Sequence, residues 1–239
     1  PAALWDNFAA LSRIPRPSKQ EEQVLAWLKE FADTRSLEWQ QDEVGNIGVR
    51  RPGSGGGESA PTVVIQSHVD MVCEKNSDVE HDFNRDPIRL LRDGDWLTAD
   101  GTTLGADNGI GVATALALLE MAANARLPPL ECLFTVDEET GLTGAFALDG
   151  ALLQGRTLLN LDTEEWGAIC IGCAGGGDSE LTLPIGFKAS PGDYLSFQLS
   201  VEGLMGGHSG VNIHEYRANA IVLLASLLEP LATIGARLV

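Results

Sequence analysis

The sequence predicts an α/β fold: a mostly parallel central sheet between helices in a three-layer arrangement, followed by the start of a smaller α+β unit. Three observations predict it. The runs at 62–68 and 130–136 are almost wholly apolar, as in strands covered on both faces. Between them, residues 107–123 form an apolar stretch of helical length. After Ala174-Gly-Gly-Gly177 the pattern changes to apolar/polar alternation over 181–185 and 195–201, as in half-exposed antiparallel strands.

Leu4, Phe8 and Leu11 recur at helical spacing, which predicts a helix over 3–13, ended by Pro15 and Pro17. Ser18-Lys-Gln-Glu21 has the spacing of a capping box. It would open a second helix with Val24, Leu25, Leu28 and Phe31 on one face. Residues 37–51 read as two short strands around Gly45-Asn46. The glycine-rich loop 53–57 is not a phosphate loop, because no Lys-Ser/Thr follows it. The strand 62–68 comes next, then a hairpin over 88–98 turning at Asp93-Gly94, and the buried helix over 107–123. A strand at 130–136, a short helix at 142–148 and strands at 157–161 and 168–173 complete the alternation. In the second unit, 214–228 reads as an amphipathic helix. The domain boundary falls near Gly175, giving units 1–174 and 175–239. The second is too short to be self-contained, so the chain reads as truncated, and no internal repeat is visible.

Composition narrows the function. The 239 residues hold 34 acids and 16 Lys+Arg, a net charge of −18, with 44% apolar residues. That apolar share excludes a disordered acidic tail. The charge argues against nucleic acid and against an anionic membrane surface, both of which select basic faces. Residues 93–187 hold 15 acids and two bases, a net of −13. This excess is either a solvated face or a carboxylate cluster that recruits cations. The start lacks the basic and apolar regions of a leader, and the apolar stretch 109–123 is interrupted by Glu120, too short to span a bilayer. Cysteines 73, 132, 170 and 173 are too few for a disulfide scaffold. Cys170-Ile-Gly-Cys173 has no second pair, so these read as ordinary buried thiols in a reducing, cytoplasmic setting.

In open α/β sheets, function gathers at the carboxyl ends of strands. Four sites near such ends carry acids or histidine. His68-Val-Asp70 ends one strand, with residues i and i+2 on one side, so an imidazole could ligate while the carboxylate orients it. Asp107, in Gly105-Ala-Asp107-Asn108-Gly109, is either a helix N-cap or a carboxylate bridging two cations. Asp137-Glu138-Glu139 places three mutually repelling acids after a strand. Asp162 ends another strand. Together they form a mixed N/O set suited to zinc or a related divalent ion.

These residues resemble a known family. His68-Val-Asp70, Gly105-Ala-Asp107-Asn108-Gly109-Ile-Gly111, Glu138-Glu139-Thr-Gly141 and Asp162 are similar to the co-catalytic zinc peptidases, which include aminoacylase, carboxypeptidase G and carnosinase. The aminoacyl-histidine dipeptidase branch is the nearest. It is marked by Gln66-Ser-His-Val-Asp-Met-Val72, His81-Asp-Phe83, Asp86-Pro-Ile88, Gly101-Thr-Thr-Leu-Gly105, Gly172-Cys-Ala-Gly-Gly176 and Gly203-Leu-Met-Gly-Gly-His-Ser-Gly210. The resemblance implies two Zn²⁺ ions, with Mn²⁺ or Co²⁺ as substitutes. His68 and Asp162 would hold one and Glu139 the other, with Asp107 bridging through a cis Asp107–Asn108 peptide. Asp70 would orient His68, Glu138 would be the general base, and His208 would contact substrate from the lid.

By the same resemblance, 1–174 would be the catalytic domain and 175–239 an incomplete lid and homodimerisation domain. The implied activity is metal-dependent hydrolysis of small peptides ending in histidine, as in carnosine. A tripeptidase, a general dipeptidase or an N-acyl amino acid deacylase shares the metal motifs, and a non-catalytic peptide-binding relative would have lost Glu138 or a ligand. The family closes its second metal with a histidine near the C-terminus. His81 and His214 do not sit in that motif, so the chain is expected to be an N-terminal fragment, inactive alone. Both histidines read as structural or surface residues. Met71 and the scattered Trp5, Trp27, Trp39, Trp96 and Trp166 read as packing.

Overall fold

The computed structural model describes residues 1–163, 165–173, 175, 177, 179–189, 192, 194–207, 212 and 214–236. The chain divides into two units, Pro1–Cys173 and Ala174–Val239.

In the first unit, helices α1 (Ala2–Leu11) and α2 (Glu22–Thr34) precede strands β1 (Glu38–Gln41), β2 (Ile47–Arg51) and β3 (Val63–His68). A hairpin of β4 (Leu90–Asp93) and β5 (Trp96–Ala99) follows, then helix α3 (Ala106–Leu119) and strand β6 (Leu130–Thr135). The short helix α4 (Thr143–Phe146), a 3-10 turn at Gly150–Leu152 and strand β7 (Thr157–Asn160) complete it. The sheet order is β1-β2-β6-β3-β7. Strand β2 is antiparallel to both of its neighbours, whereas β6, β3 and β7 run parallel. Four of the five strands therefore point the same way, which brings the carboxyl ends of β3, β6 and β7 to one edge.

Alternation along the strands assigns the faces. Ile47 and Val49 of β2, Ile65 of β3, and Cys132 and Phe134 of β6 join residues of α1, α2 and α3 in the main core. Val64 and Leu133 point to the other face, where Leu152 covers them. Strand β6 is buried at all six positions because it has strands on both sides and cover on both faces. Its one acid, Glu131, is satisfied by the N–H groups of Gln154 and Gly155 and by the Arg50 guanidinium. Phe134 is fully buried at its centre. Truncation there to alanine should cost roughly 3–5 kcal/mol.

Several expectations are corrected. The capping box does not form: Glu21 takes the cap position of α2 with no side-chain cap bond. The Ser18 hydroxyl donates instead to Asp70, at 2.8 Å. Helix α3 ends at Leu119, and Glu120 turns to accept from Asn7 and Arg35. Asp107 is not an N-cap, since Gly105 holds that position. Residues 168–173 form no strand, and Cys170 and Cys173 are exposed, not buried; Cys132 is buried as expected. Trp27 and Trp39 pack on the core, but Trp96 and Trp166 are exposed.

In the second unit the described residues hold one helix, α5 (Ala220–Thr233), with Pro230 inside it. The expected strands 181–185 and 195–201 are absent: no neighbouring strand among the described residues pairs with them, and Leu181, Leu183 and Phe197 are exposed. A strand needs a partner for its backbone groups, so alternation alone does not make one. No helix among the described residues is long and apolar enough to cross a membrane.

Candidate functional site

The end of β3 supplies the first two groups. His68 is its last residue, and Asp70 lies two residues on, with Val69 still hydrogen-bonded to Thr135. Both side chains are almost completely buried. His68 Nδ1 lies 3.1 Å from Asp70 Oδ1, and its Nε2 lies 3.0 Å from Asp107 Oδ1. Asp162 and Glu138 stand at 3.7 Å and 3.9 Å from the same nitrogen.

Asp107 reaches this point because α3 begins irregularly. The Asp107–Asn108 peptide is cis, and both residues have non-helical backbone angles. Asn108 then turns its amide toward β7, donating to the Leu161 carbonyl at 2.6 Å and to Asp162 Oδ1 at 2.7 Å. Asp162 is thereby held beside His68.

Glu138 and Glu139 sit on the turn after β6. Asp137 opens that turn in a left-handed conformation and is buried. Its carboxylate accepts from the hydroxyls of Thr140 and Thr143, and its N–H donates to Glu21. The buried amide of Asn46 fastens the turn, donating to the Gly144 carbonyl while its oxygen accepts from the Val136 N–H. The N–H groups of Glu138 and Glu139 each donate to Asp70 at 3.1 Å, one to each carboxylate oxygen. Asp70 thus collects four donors: Ser18, His68 and these two N–H groups.

Burial works against the negative charge of Asp70, yet these donors hold it down at about 2. Burial likewise opposes a proton on His68, but hydrogen bonds to Asp107 and Asp70 and the charge of Asp162 outweigh it, pushing His68 up to about 10. Burial and the neighbouring Asp107 raise Glu139 to about 7. The same two causes raise Asp162 to about 6 against the pull of His68. Behind the cluster lies the buried Arg16 guanidinium, lowered by burial to about 10 against the attraction of Asp70, so still charged at neutrality.

His68, Asp107 and Glu139 each offer a ligand atom, all within 4.8 Å of one another. One imidazole and several mutually repelling carboxylates fit a divalent cation, whose charge would relieve the repulsion that raises Glu139 and Asp162. Beside Glu138 and Asp162 opens a cavity of about 290 Å³, also lined by Gln66, Asn160 and Leu148.

Six of the seven residues singled out in the sequence meet here: His68, Asp70, Asp107, Glu138, Glu139 and Asp162. The seventh, His208, lies outside the described residues. His81 packs edge-on against Phe83, ring centroids 4.4 Å apart, and His214 is exposed. Sequence reasoning missed Arg16, Ser18 and Asn46, and passed over Asn108 as motif context. Only Arg16 carried a signal, a lone cation between two prolines.

The chain is 47% identical over 228 residues to cytosol non-specific dipeptidase of Escherichia coli (strain K12), a match covering 95% of this chain and 47% of that protein. The crystal structure of aminoacylhistidine dipeptidase from Vibrio alginolyticus matches with a TM-score of 0.72 and 43% identity, over 95% of this chain and 46% of that one. A Staphylococcus aureus tripeptidase structure shares the fold, with a TM-score of 0.57 and 24% identity over 68% of this chain and 43% of its own. No family model matches. The chain spans about half the length of the curated relatives it matches.

Proposed function

The chain belongs to the dipeptidase family of cytosol non-specific dipeptidase and aminoacylhistidine dipeptidase, and from that premise we propose that it carries the metal-binding half of a hydrolase acting on dipeptides with C-terminal histidine. The observation that supports this most is the convergence of candidate ligand atoms of His68, Asp107 and Glu139 within 4.8 Å of one another, with Asp70 behind the imidazole. His68, Asp107, Glu139 and Asp162 would hold two divalent ions, Zn²⁺ in this reading. When bound, such ions polarise the scissile carbonyl and lower the pKa of a water.

The chain's own residues do the rest. Glu138 takes the proton of the attacking water and delivers it to the leaving amine. It can do so because its backbone is fixed by Asp70 while its side chain stays at the mouth of the cluster. Asp70 orients His68 and both glutamates. His208 would contact the substrate and stabilise the developing oxyanion. We assign 1–174 to the catalytic domain and 175–239 to a lid through which homodimers form. A cytoplasmic location fits the cytosolic relative.

A second reading has support in the non-specific dipeptidase relative: a dipeptidase indifferent to the second residue. The test is a substrate panel on the full-length protein with zinc added: β-alanyl-histidine, other Xaa-His dipeptides, Ala-Ala, a tripeptide and an N-acetyl amino acid. Preferred cleavage of the Xaa-His members supports the first reading. Equal rates on Ala-Ala favour the second, and cleavage of only the tripeptide or the N-acetyl compound defeats both.

A further inference from the structure

Arg16 is the one cation buried directly behind the carboxylate cluster, and it makes no side-chain ion pair among the described residues. Its guanidinium donates through Nη1 to the carbonyls of Val69 and Asp70, at 2.9 Å and 3.0 Å, and through Nη2 to the Gly105 carbonyl at 2.6 Å. The first two carbonyls belong to the segment that carries His68 and Asp70. The third lies two residues before Asp107. One planar fork therefore spans the two backbone segments whose side chains meet at His68 Nε2 and Asp107 Oδ1.

The surroundings are shaped to this fork. A Cβ on Gly105 would run into Nη2 and the Met71 sulfur, and one on Gly109 would stand 3.0 Å from Nη2 and 3.1 Å from Phe8. The glycines on either side of Ala-Asp-Asn thus clear the space the guanidinium fills. Arg16 is itself pinned. Pro15 and Pro17 bias the backbone to an extended course. Pro17 bridges to Met71, and the Arg16 carbonyl accepts the Met71 N–H at 3.2 Å.

We propose that Arg16 is a positioning residue for the metal centre: its bidentate fork sets the spacing of His68 and Asp107, and with it the affinity and geometry of the bound ion. The inference rests on the metal-binding reading of those two residues. It makes a prediction opposite to a purely electrostatic one. A cation behind a metal site repels the metal, so deleting its charge would tighten binding. A spacer, when removed, loosens it. Lysine keeps the charge but offers a point donor that cannot hold carbonyls of two segments in one plane.

The test is zinc titration of the metal-free chain by calorimetry, with the Co²⁺ absorption spectrum as a report of ligand geometry. Arg16→Lys and Arg16→Gln should both weaken zinc at least tenfold and alter the cobalt spectrum. Gly109→Ala, which keeps Arg16 but crowds it, should weaken zinc several-fold; it carries the test if the arginine variants fail to fold. Val24→Ala, a core truncation in α2, lowers Tm without touching the site and should leave affinity and spectrum unchanged. Parental affinity in Arg16→Lys with a parental spectrum overturns the proposal. So does tighter zinc binding by Arg16→Gln, and so does parental affinity in Gly109→Ala when that variant is the only one to fold. If the parent chain takes up no zinc, the metal reading fails and this inference with it.

Discussion

Asp70 and His68 meet at 3.1 Å with both side chains shut off from solvent, and the second oxygen of the same carboxylate holds the backbone of Glu139. One buried anion therefore sets the imidazole orientation and the position of the turn that presents two glutamates. Asp70→Asn should disturb both. Its amide nitrogen would face a donor on one side, which leaves a buried N–H or the imidazole unmatched at a cost of roughly 1–3 kcal/mol. Loss of an orienting carboxylate behind a ligating histidine typically weakens metal about 10–100-fold. Thermal unfolding and zinc titration check the two effects; zinc affinity equal to the parent's would remove Asp70 from the orienting role.

Metal uptake should expel protons. Without metal, His68 titrates near 10 and is protonated at neutral pH, Glu139 near 7 is about half protonated, and Asp162 near 6 mostly ionised. A ligand must be neutral imidazole or carboxylate, so binding at pH 7 should release roughly one to two protons. Affinity should rise with pH, most steeply below about pH 6, where all three groups carry protons, and only through His68 above about pH 8. Calorimetry in buffers of different ionisation enthalpy measures the release. A buffer-independent heat at pH 7 would contradict it.

Ser18 acts on the site and not on the helix that follows it. Its hydroxyl goes to Asp70, and α2 begins without a side-chain cap. Ser18→Ala should therefore cost roughly 0.5–1.5 kcal/mol, the usual worth of one hydrogen bond, and weaken zinc a few-fold. Amide exchange in the first turn of α2 should not change. Faster exchange there with parental zinc affinity would return Ser18 to the capping role.

That reversal shows where the sequence was legible. Local signals placed the strands near their observed bounds, because β3 and β6 are apolar runs between turn residues and carry their burial in their composition. The acids at the strand ends could be named because a sheet delivers carboxyl ends to one edge. What stayed hidden depends on distance in sequence. Ser18 meets Asp70 across 52 residues and Arg16 meets Gly105 across 89, and nothing local distinguishes a serine that caps from one that crosses the sheet edge. The strands expected over 181–185 and 195–201 failed for the converse reason: alternation marks a face, but the pairing partner must come from elsewhere.

Asn108 offers the sharpest test of how the carboxylates are kept together. Its amide donates to the Leu161 carbonyl and to Asp162 Oδ1, and the side chain is buried. Asn108→Ala removes both donors and releases Asp162. Asn108→Asp keeps the size but points an acceptor at the Leu161 carbonyl and a second negative charge at Asp162. Like charges in a buried site cost more than a lost hydrogen bond. At pH 8 without metal, Asn108→Asp should therefore unfold at a lower temperature than Asn108→Ala. Zinc should reverse part of that difference by neutralising the added charge, so the rise in Tm on adding zinc should be larger for the aspartate variant. Thermal unfolding of both variants with and without zinc measures it. An aspartate variant more stable than the alanine one in the absence of metal would show that the amide is not what holds Asp162 in place.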